Sequence, residues 1–538
     1  MTYSCVQLND LSDEILLIIL KILNNVEVLS SLFNVNKRLN RIVHDSIFTS
    51  DLTLLKYLSD DSTYSLPDPL LDRFCSEILP SIDHKIKWFT LESLSMKRIL
   101  LSTNYPNLNG LGIYNIKMKA ALSLFTDAIT FTDLFKNQIL SFVIEIIDKN
   151  CYEPNMNIII FTNIFKNFPN LKYLNFNPSF ICDQYISFNW SSPTIFSSTL
   201  LTLHVKVSSV IDCLHLLDGR FNQLHTFYVH TGSAYSRQQS LQINNKEKLP
   251  NLKCFSLSSA EQLDLYDEII IPLLHRMSNL EILMFYFPVS KRKTFIDGNH
   301  FKDIVNHMPQ LNKFLFNICS FIHLNNKINL PSNEDIQYSF KDFNYNQIIS
   351  CVNYFRETQC GECHIYSYPY TLRHYYYIRN NFPGGLFKCV RQVSLYDEHP
   401  FEHEFFLRIQ KSFPLMEKLT LYNKKRQNNK QYRKSKENIE HLSIVEYPYL
   451  TNLTLYNTHY DYIEEFLLDT KTCLTNGVYL SLNYKSLKKV TRNFKRNATR
   501  INSNKVNRLH ISGEFKITEH LKNYFSHAII SNNYYGFI

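Results

Sequence analysis

Three short segments carry residue types and spacings that could do chemistry. Cys360-Gly-Glu-Cys363-His364 has the spacing of covalent haem attachment, and its thiols could seed a zinc site. Haem attachment needs an export compartment. Tetrahedral zinc needs further ligands, with Cys351, Cys389 and His364 as candidates. Packing favours a plainer reading, in which both cysteines are small side chains at inward strand positions. His399-Pro-Phe-Glu402-His403 has the order of an inverted zinc-protease motif. That chemistry needs both histidines on one face of a continuous helix, whereas Pro400 fits a first helical turn and leaves His399 outside it. Lys424 to Lys436 is the densest positive run and reads as an exposed loop, with nuclear import or an acidic partner as the second reading. Arg492 to Arg500 reads the same way.

P-loop, serine nucleophile-elbow, His-Glu-x-x-His and paired-carboxylate signatures are absent from the sequence, as is the Cys/His spacing of a RING-type ligase. No catalytic residue, metal or cofactor is therefore expected, and the chain reads as a non-enzyme.

The 538 residues are 45% hydrophobic and 20% charged, enough for a folded core and against wholesale disorder. Only 11 are glycine, which weighs against phosphate-cradling loops, and the net charge of +9 permits acidic partners without demanding nucleic acid. The apolar stretch Ile15–Leu23 is too short to span a bilayer and contains Lys21. The chain is expected to be intracellular, cytoplasmic or nuclear, without membrane contact, its 12 cysteines reduced.

The elements that position these residues fall into two kinds. Near the N-terminus, Ser12 can cap a helix whose first turn holds Asp13 and Glu14, where the helix dipole favours negative charge. Ile15, Ile18, Ile19, Ile22 and Leu23 recur at helical spacing and are expected to form its buried face. Leu16, Leu17 and Leu20 then fall mostly outside that face, so the helix needs a second partner. Helical stretches at Glu27–Phe33 and Lys37–Val43 are expected to supply Val28, Leu29, Leu32, Phe33, Val35, Leu39, Ile42 and Val43 to the same small core.

Leu11-Ser-Asp-Glu-Ile-Leu16, then Ile19, Leu23, Leu29, Leu32, Val35, Asn36-Lys-Arg-Leu-Asn-Arg41 and Ile42, resembles the F-box. Ser12 stands where that family commonly has proline, and Leu39 where it commonly has tryptophan. The resemblance covers residues 6–50. It implies binding to a Skp-family adaptor and through it a cullin, with Leu11, Ile15, Leu16, Ile19 and Leu20 as adaptor contacts.

The rest of the chain repeats one phrase, apolar-x-x-apolar-x-apolar, from Ile86/Phe89/Leu91 to Leu311/Phe314/Phe316 and again from Val390/Val393/Leu395 to Val506/Leu509/Ile511. Successive starts up to Leu311 are 22 to 31 residues apart or, at one step, 32, which is leucine-rich-repeat spacing. Proline precedes several units, as at Pro106, Pro169, Pro250 and Pro309. Before some of these an amphipathic helix, such as Phe301/Ile304/Val305/Met308, stops at the proline and hands over to the strand. Further units are expected at Cys360/Cys363/Ile365 and Gly477/Leu480/Leu482, with a poorly formed one near Gln337–Phe340, giving about fifteen or sixteen irregular repeats. The strict asparagine-ladder position of such repeats is mostly empty, Cys319 being an exception.

The expected fold is α/β: a three-helix F-box at 1–50, a helical linker or cap at 51–84, a leucine-rich-repeat solenoid at 85–515 and a C-terminal cap at 516–538. Solvent-side strand positions would line a concave face that holds a protein substrate, with Tyr173, His204, Lys206, Tyr228, His230, Lys313, Lys418 and Tyr422 as its contacts. Trp88, Glu92, Tyr286, Tyr396, Tyr456, Arg508 and His510 share that set of positions. The leading function is substrate recognition for a cullin-type ubiquitin ligase; the alternative is a non-enzymatic interaction scaffold of the same fold with no ubiquitin link.

Overall fold

The computed structural model describes residues 11–57, 63–126, 132–147, 154–176, 185–188, 195–232, 247–324, 330–343, 345–428 and 443–531. It is a mixed α/β protein with large parallel sheets. The chain divides into two compact units, Met1–Arg292 with Gly298–Ser320, and Lys293–Asp297 with Phe321–Ile538.

The first unit opens with helices α1 (Asp13–Leu20), α2 (Asn25–Leu32) and α3 (Lys37–Val43). Each begins at a side-chain cap: Ser12 accepts from the Ile15 N–H, Asn24 from Val26 and Asn36 from Leu39. Leu16, Leu20, Val26, Val28, Leu29, Phe33, Leu39, Ile42 and Val43 are buried. The expected burial of α1 is therefore inverted. Leu16 and Leu20 face inward, and Ile15, Ile18, Ile19, Ile22 and Leu23 face solvent. The cause is electrostatic as well as apolar. Asp13 lies on the same helical face as Leu16 and Leu20, and Arg38 and Arg41 of α3 bind it at 2.7 and 2.6 Å, turning that face toward α3.

Parallel strands succeed one another in chain order: Asp51–Tyr57, Trp88–Glu92, Gly110–Lys117, Ser141–Ile147, Tyr173–Phe176, Thr202–Val207, Thr226–Thr231, Cys254–Ser259 and Ile282–Arg292. Lys313–His323 lies beside the last of these. Two inward positions of the repeated phrase align across the sheet. One column runs Phe89, Leu111, Phe142, Leu174, Leu203, Phe227, Phe255, Leu283, and the next starts Leu91, Ile113, Ile144, Phe176. All are buried, as is the phrase's first apolar residue just before each strand. The segment expected as a helical linker at 51–84 thus opens with a strand in register with Trp88–Glu92.

The corner before each strand is built by one recurring pattern. Two consecutive N–H groups donate to a single carbonyl one repeat earlier: Lys87 and Trp88 to Ser50, Asn109 and Gly110 to Lys87, Leu140 and Ser141 to Asn109. The pattern continues to Asn312 and Lys313, which share the carbonyl of Glu281. A polar side chain immediately before the first apolar residue adds a second rung. Asn107 donates to the carbonyl of His84, Gln138 to Tyr105, Asn170 to Asn137, Asn251 to Asn222 and Asn279 to Pro250, at 2.6 to 3.1 Å. This amide ladder occupies a different position from the one sought in the sequence, and each rung satisfies a turn carbonyl that has no sheet partner. Asn251→Ala is expected to cost about 1 kcal/mol, read as a lowered urea midpoint with an unchanged m-value.

The second unit departs most from expectation. Asn333–Ser339, where a weak repeat was expected, is a helix with a Ser332/Asp335 capping box. Cys360–Tyr368 is a strand, but it forms an antiparallel hairpin with Gln347–Phe355. A parallel sheet then runs His374–Ile378, Gln392–Tyr396, Lys418–Tyr422, Asn452–Leu455, Val478–Asn483, Val506–Ser512 and Ile529–Ser531. The first and last of these were not read from the sequence, and the last shows that the expected C-terminal cap carries one more strand. The core behind this sheet is a cluster rich in aromatics, including Tyr375, Phe382, Phe387, Phe406, Phe413 and Phe466.

Candidate interaction surfaces

The five adaptor candidates divide by geometry. Leu16 and Leu20 are 0% and 4% exposed and belong to the core; Leu11 is half-buried; Ile15 and Ile19 lie open. On the same solvent side of α1 and the turn after it stand Ile18 at 65%, Ile22 at 82% and Leu23. Val35 before α3, expected in the core, is also exposed, because it lies in the turn between α2 and α3 and on neither helix's inward face. Asn34 just before it takes a φ of 60°, a left-handed turn that asparagine tolerates. The Asp13 carboxyl is held below its ordinary value by hydrogen bonds first from Arg38 and then from Arg41, so it stays ionised beside this apolar stripe.

In the first unit, three substrate candidates form one contiguous row. The His204 ring stacks on Tyr228 with centroids 4.4 Å apart and planes 12° apart, and Tyr173 lies 5.5 Å from His204 on the other side. Burial pushes the His204 pKa down to about 4, so this row is neutral at physiological pH. The Tyr228 hydroxyl meets the Cys254 thiol at 3.7 Å, and burial raises that thiol above its ordinary value against the smaller opposing pulls of Tyr228 and Lys313. His230 is set aside from the row by a 2.9 Å bond to Ser258. Lys206, expected as an exposed contact, is only 7% exposed. Glu92 is likewise buried and caps the helix Ser93–Leu100.

In the second unit, Lys418 and Tyr422 sit at the two ends of one strand. Tyr422 stacks on Tyr396 at 4.9 Å and 21°, in register, and Tyr456 lies 6.1 Å further on. Arg379 anchors this row. It is buried, pairs with the buried Glu362 carboxylate, donates to the Tyr396 carbonyl at 2.6 Å, and places its guanidinium 4.5 Å from the Tyr396 ring centroid. Nothing in the apolar repeat pointed to Arg379, because its partner Glu362 lies across a hairpin that the repeat does not foresee.

The three chemically suggestive segments resolve structurally. In the uninterrupted strand Cys360–Tyr368, residues three apart project to opposite faces, so Cys360 and Cys363 do not converge as the shared inward positions expected of them. Cys363 is fully buried, and burial pushes its thiol well up. The His403 helix begins at His403 itself, later than Pro400, and leaves His399 outside. His403 instead bonds Glu465 at 2.5 Å and the Ser443 carbonyl at 2.9 Å. Of the basic run, Lys424 to Asn428 is described; Lys425 pairs with Glu357 at 2.5 Å and Lys424 lies over Tyr422, while 429–436 falls outside the described residues.

Among the described residues no helix is long and apolar enough to cross a membrane, and no group of three or more His, Cys, Asp or Glu side chains is placed to hold a metal ion. The sequence matches no protein-family model, and no curated protein matches it.

Proposed function

We propose that this chain is the substrate-recognition subunit of a cullin-type ubiquitin ligase. In this reading residues 6–50 are an F-box that binds a Skp-family adaptor and through it a cullin. The two parallel-sheet units are an irregular leucine-rich-repeat solenoid that holds the substrate protein. The chain itself does no catalysis and works inside the cell.

The observation that carries the reading is the solvent-side stripe Ile15, Ile18, Ile19, Ile22, Leu23 and Val35 on a module whose own core is already closed by Leu16, Leu20 and Leu29. Exposed apolar patches of this kind mark partner contacts. Affinity purification of the full chain from cells, followed by mass spectrometry, tests it. Adaptor and cullin are expected with the full chain and absent when residues 6–50 are deleted, while substrates are retained by both. A full-chain eluate without adaptor or cullin would sink the ligase reading and leave the interaction scaffold.

A further inference from the structure

The seven strands of the sheet that runs from His374–Ile378 to Ile529–Ser531 contain no aspartate or glutamate. Their solvent side is ordered in rows. Lys418 and Arg508 stand near the strand starts, at the register shared with Asn452 and Tyr479. The next solvent-side position on successive strands is a hydroxyl, Ser394, Thr420, Thr454 and Ser481, in mutual register. Beyond these lies the wall of Tyr396, Tyr422 and Tyr456, with Lys424 5.8 Å from the Tyr422 centroid. The acids that border this field are already engaged. Glu398 accepts from the backbone N–H groups of Glu357 and Thr358, Glu357 pairs with Lys425, and Glu417 pairs with Arg391 at 3.3 Å.

We propose that this face binds an extended acidic peptide, its carboxylates paired with Lys418 and Arg508 and hydrogen-bonded by the row of serine and threonine hydroxyls, its backbone lying along the tyrosine wall. Charge complementarity selects the partner: two cations, a hydroxyl floor and strands without acids favour an anionic segment and offer a basic peptide only border carboxylates that are already engaged. The geometry also argues against single-stranded nucleic acid. Bases need open aromatic faces, whereas Tyr396 is stacked between Tyr422 and Arg379 and presents its edge. An acidic segment is then the substrate class of the receptor reading, and only the fate of the bound peptide, not its binding, rests on that reading.

Fluorescence anisotropy with the full chain tests it, using a labelled short glutamate-rich peptide, the same peptide with glutamine for glutamate, and a single-stranded oligothymidylate. The glutamate peptide is expected to bind at least about tenfold tighter than the other two, and to weaken as salt rises. Lys418→Glu with Arg508→Glu is expected to weaken it about tenfold or more, and Lys411→Glu, on a helix away from the strands, to leave it unchanged. If circular dichroism shows the double reversal misfolded, Lys418→Gln with Arg508→Gln replaces it, with an expected loss of about threefold or more. Equal binding of the glutamine peptide, tighter binding of the oligothymidylate, or affinity unmoved in the folded double variant would each overturn the proposal. Adaptor retention by the same variants reports separately on the receptor reading.

Discussion

Aspartate at both Ile18 and Ile22 is expected to abolish retention of a Skp-family adaptor while leaving the unfolding transition of the chain unchanged. Both side chains are more than half exposed, so neither contributes to the helical core. If a partner covers them, each contributes about 1.5–3 kcal/mol of apolar burial, and a carboxylate in its place must be desolvated as well. Loss of both therefore exceeds about a hundredfold in affinity. The companion substitution Leu16→Asp is expected to behave differently. It puts a charge into a fully buried site and unfolds the module, so lost adaptor binding in that variant carries no information about the contact surface. Titration of purified adaptor against the Ile18/Ile22 variant, alongside its melting curve, is the measurement. Wild-type affinity in a folded variant would refute the assignment of this stripe.

The second large effect is expected at Glu465, which is fully buried and accepts from His403 at 2.5 Å, Lys471 at 2.5 Å and Gln427 at 3.3 Å. Both His403 ring nitrogens face acceptors, Glu465 and the Ser443 carbonyl, so both must carry protons and the ring is an imidazolium. Hydrogen bonding to Glu465 raises the His403 pKa above 6.5, against the opposing pull of burial. Burial alone would raise Glu465, but His403 and Lys471 outweigh it and bring the carboxyl below 4.5. Glu465→Ala leaves two buried cations without their counter-charge and is expected to cost about 3–5 kcal/mol in the unit that holds it. The pH dependence has a definite sign. The His403 contribution is complete below 6.5 and is lost as pH rises through its raised folded value. The Glu465 contribution is complete above 4.5 and is lost as pH falls through its lowered one. Stability from this cluster therefore peaks between those two values. Denaturant unfolding across pH checks this, and a Glu465→Ala chain that keeps the wild-type profile would count against it.

The sequence was most readable where one physical demand repeats. Each parallel strand needs two inward apolar side chains and a buried residue before it, so Leu171/Leu174/Phe176 or Leu252/Phe255/Leu257 announce themselves. The hairpin Gln347–Phe355/Cys360–Tyr368 hid inside the same phrase because an apolar pattern does not reveal whether a strand's neighbour is parallel. His374–Ile378 was missed because the Tyr377 φ of 61° and a register shift between Tyr375 and Ile378 break the spacing. At α1 the helix and its cap were legible, but not which face turns inward. Nearly every position there is apolar, and the choice is made by Asp13 meeting Arg38 and Arg41 from another helix. For the candidate contacts, Tyr173, His204 and Tyr228 followed from strand alternation alone. Lys206 did not, since alternation gives a side chain's direction and not whether its neighbours cover it.

The paired donors at each corner give assembly a direction in time. A nascent turn such as Lys253–Cys254 takes its acceptor from His225, already synthesised, and Glu281–Ile282 then takes its own from Lys253. Each emerging repeat thus finds its template waiting on the side the ribosome has finished. Gly477 and Val478 depart from this order by donating to Lys505, which is made later, while Tyr479 beside them keeps it by donating to Thr451. The corners from Lys87–Trp88 to Asn312–Lys313 are therefore expected to form in the order of synthesis, and the corner at Gly477–Val478 only once Lys505 has left the tunnel.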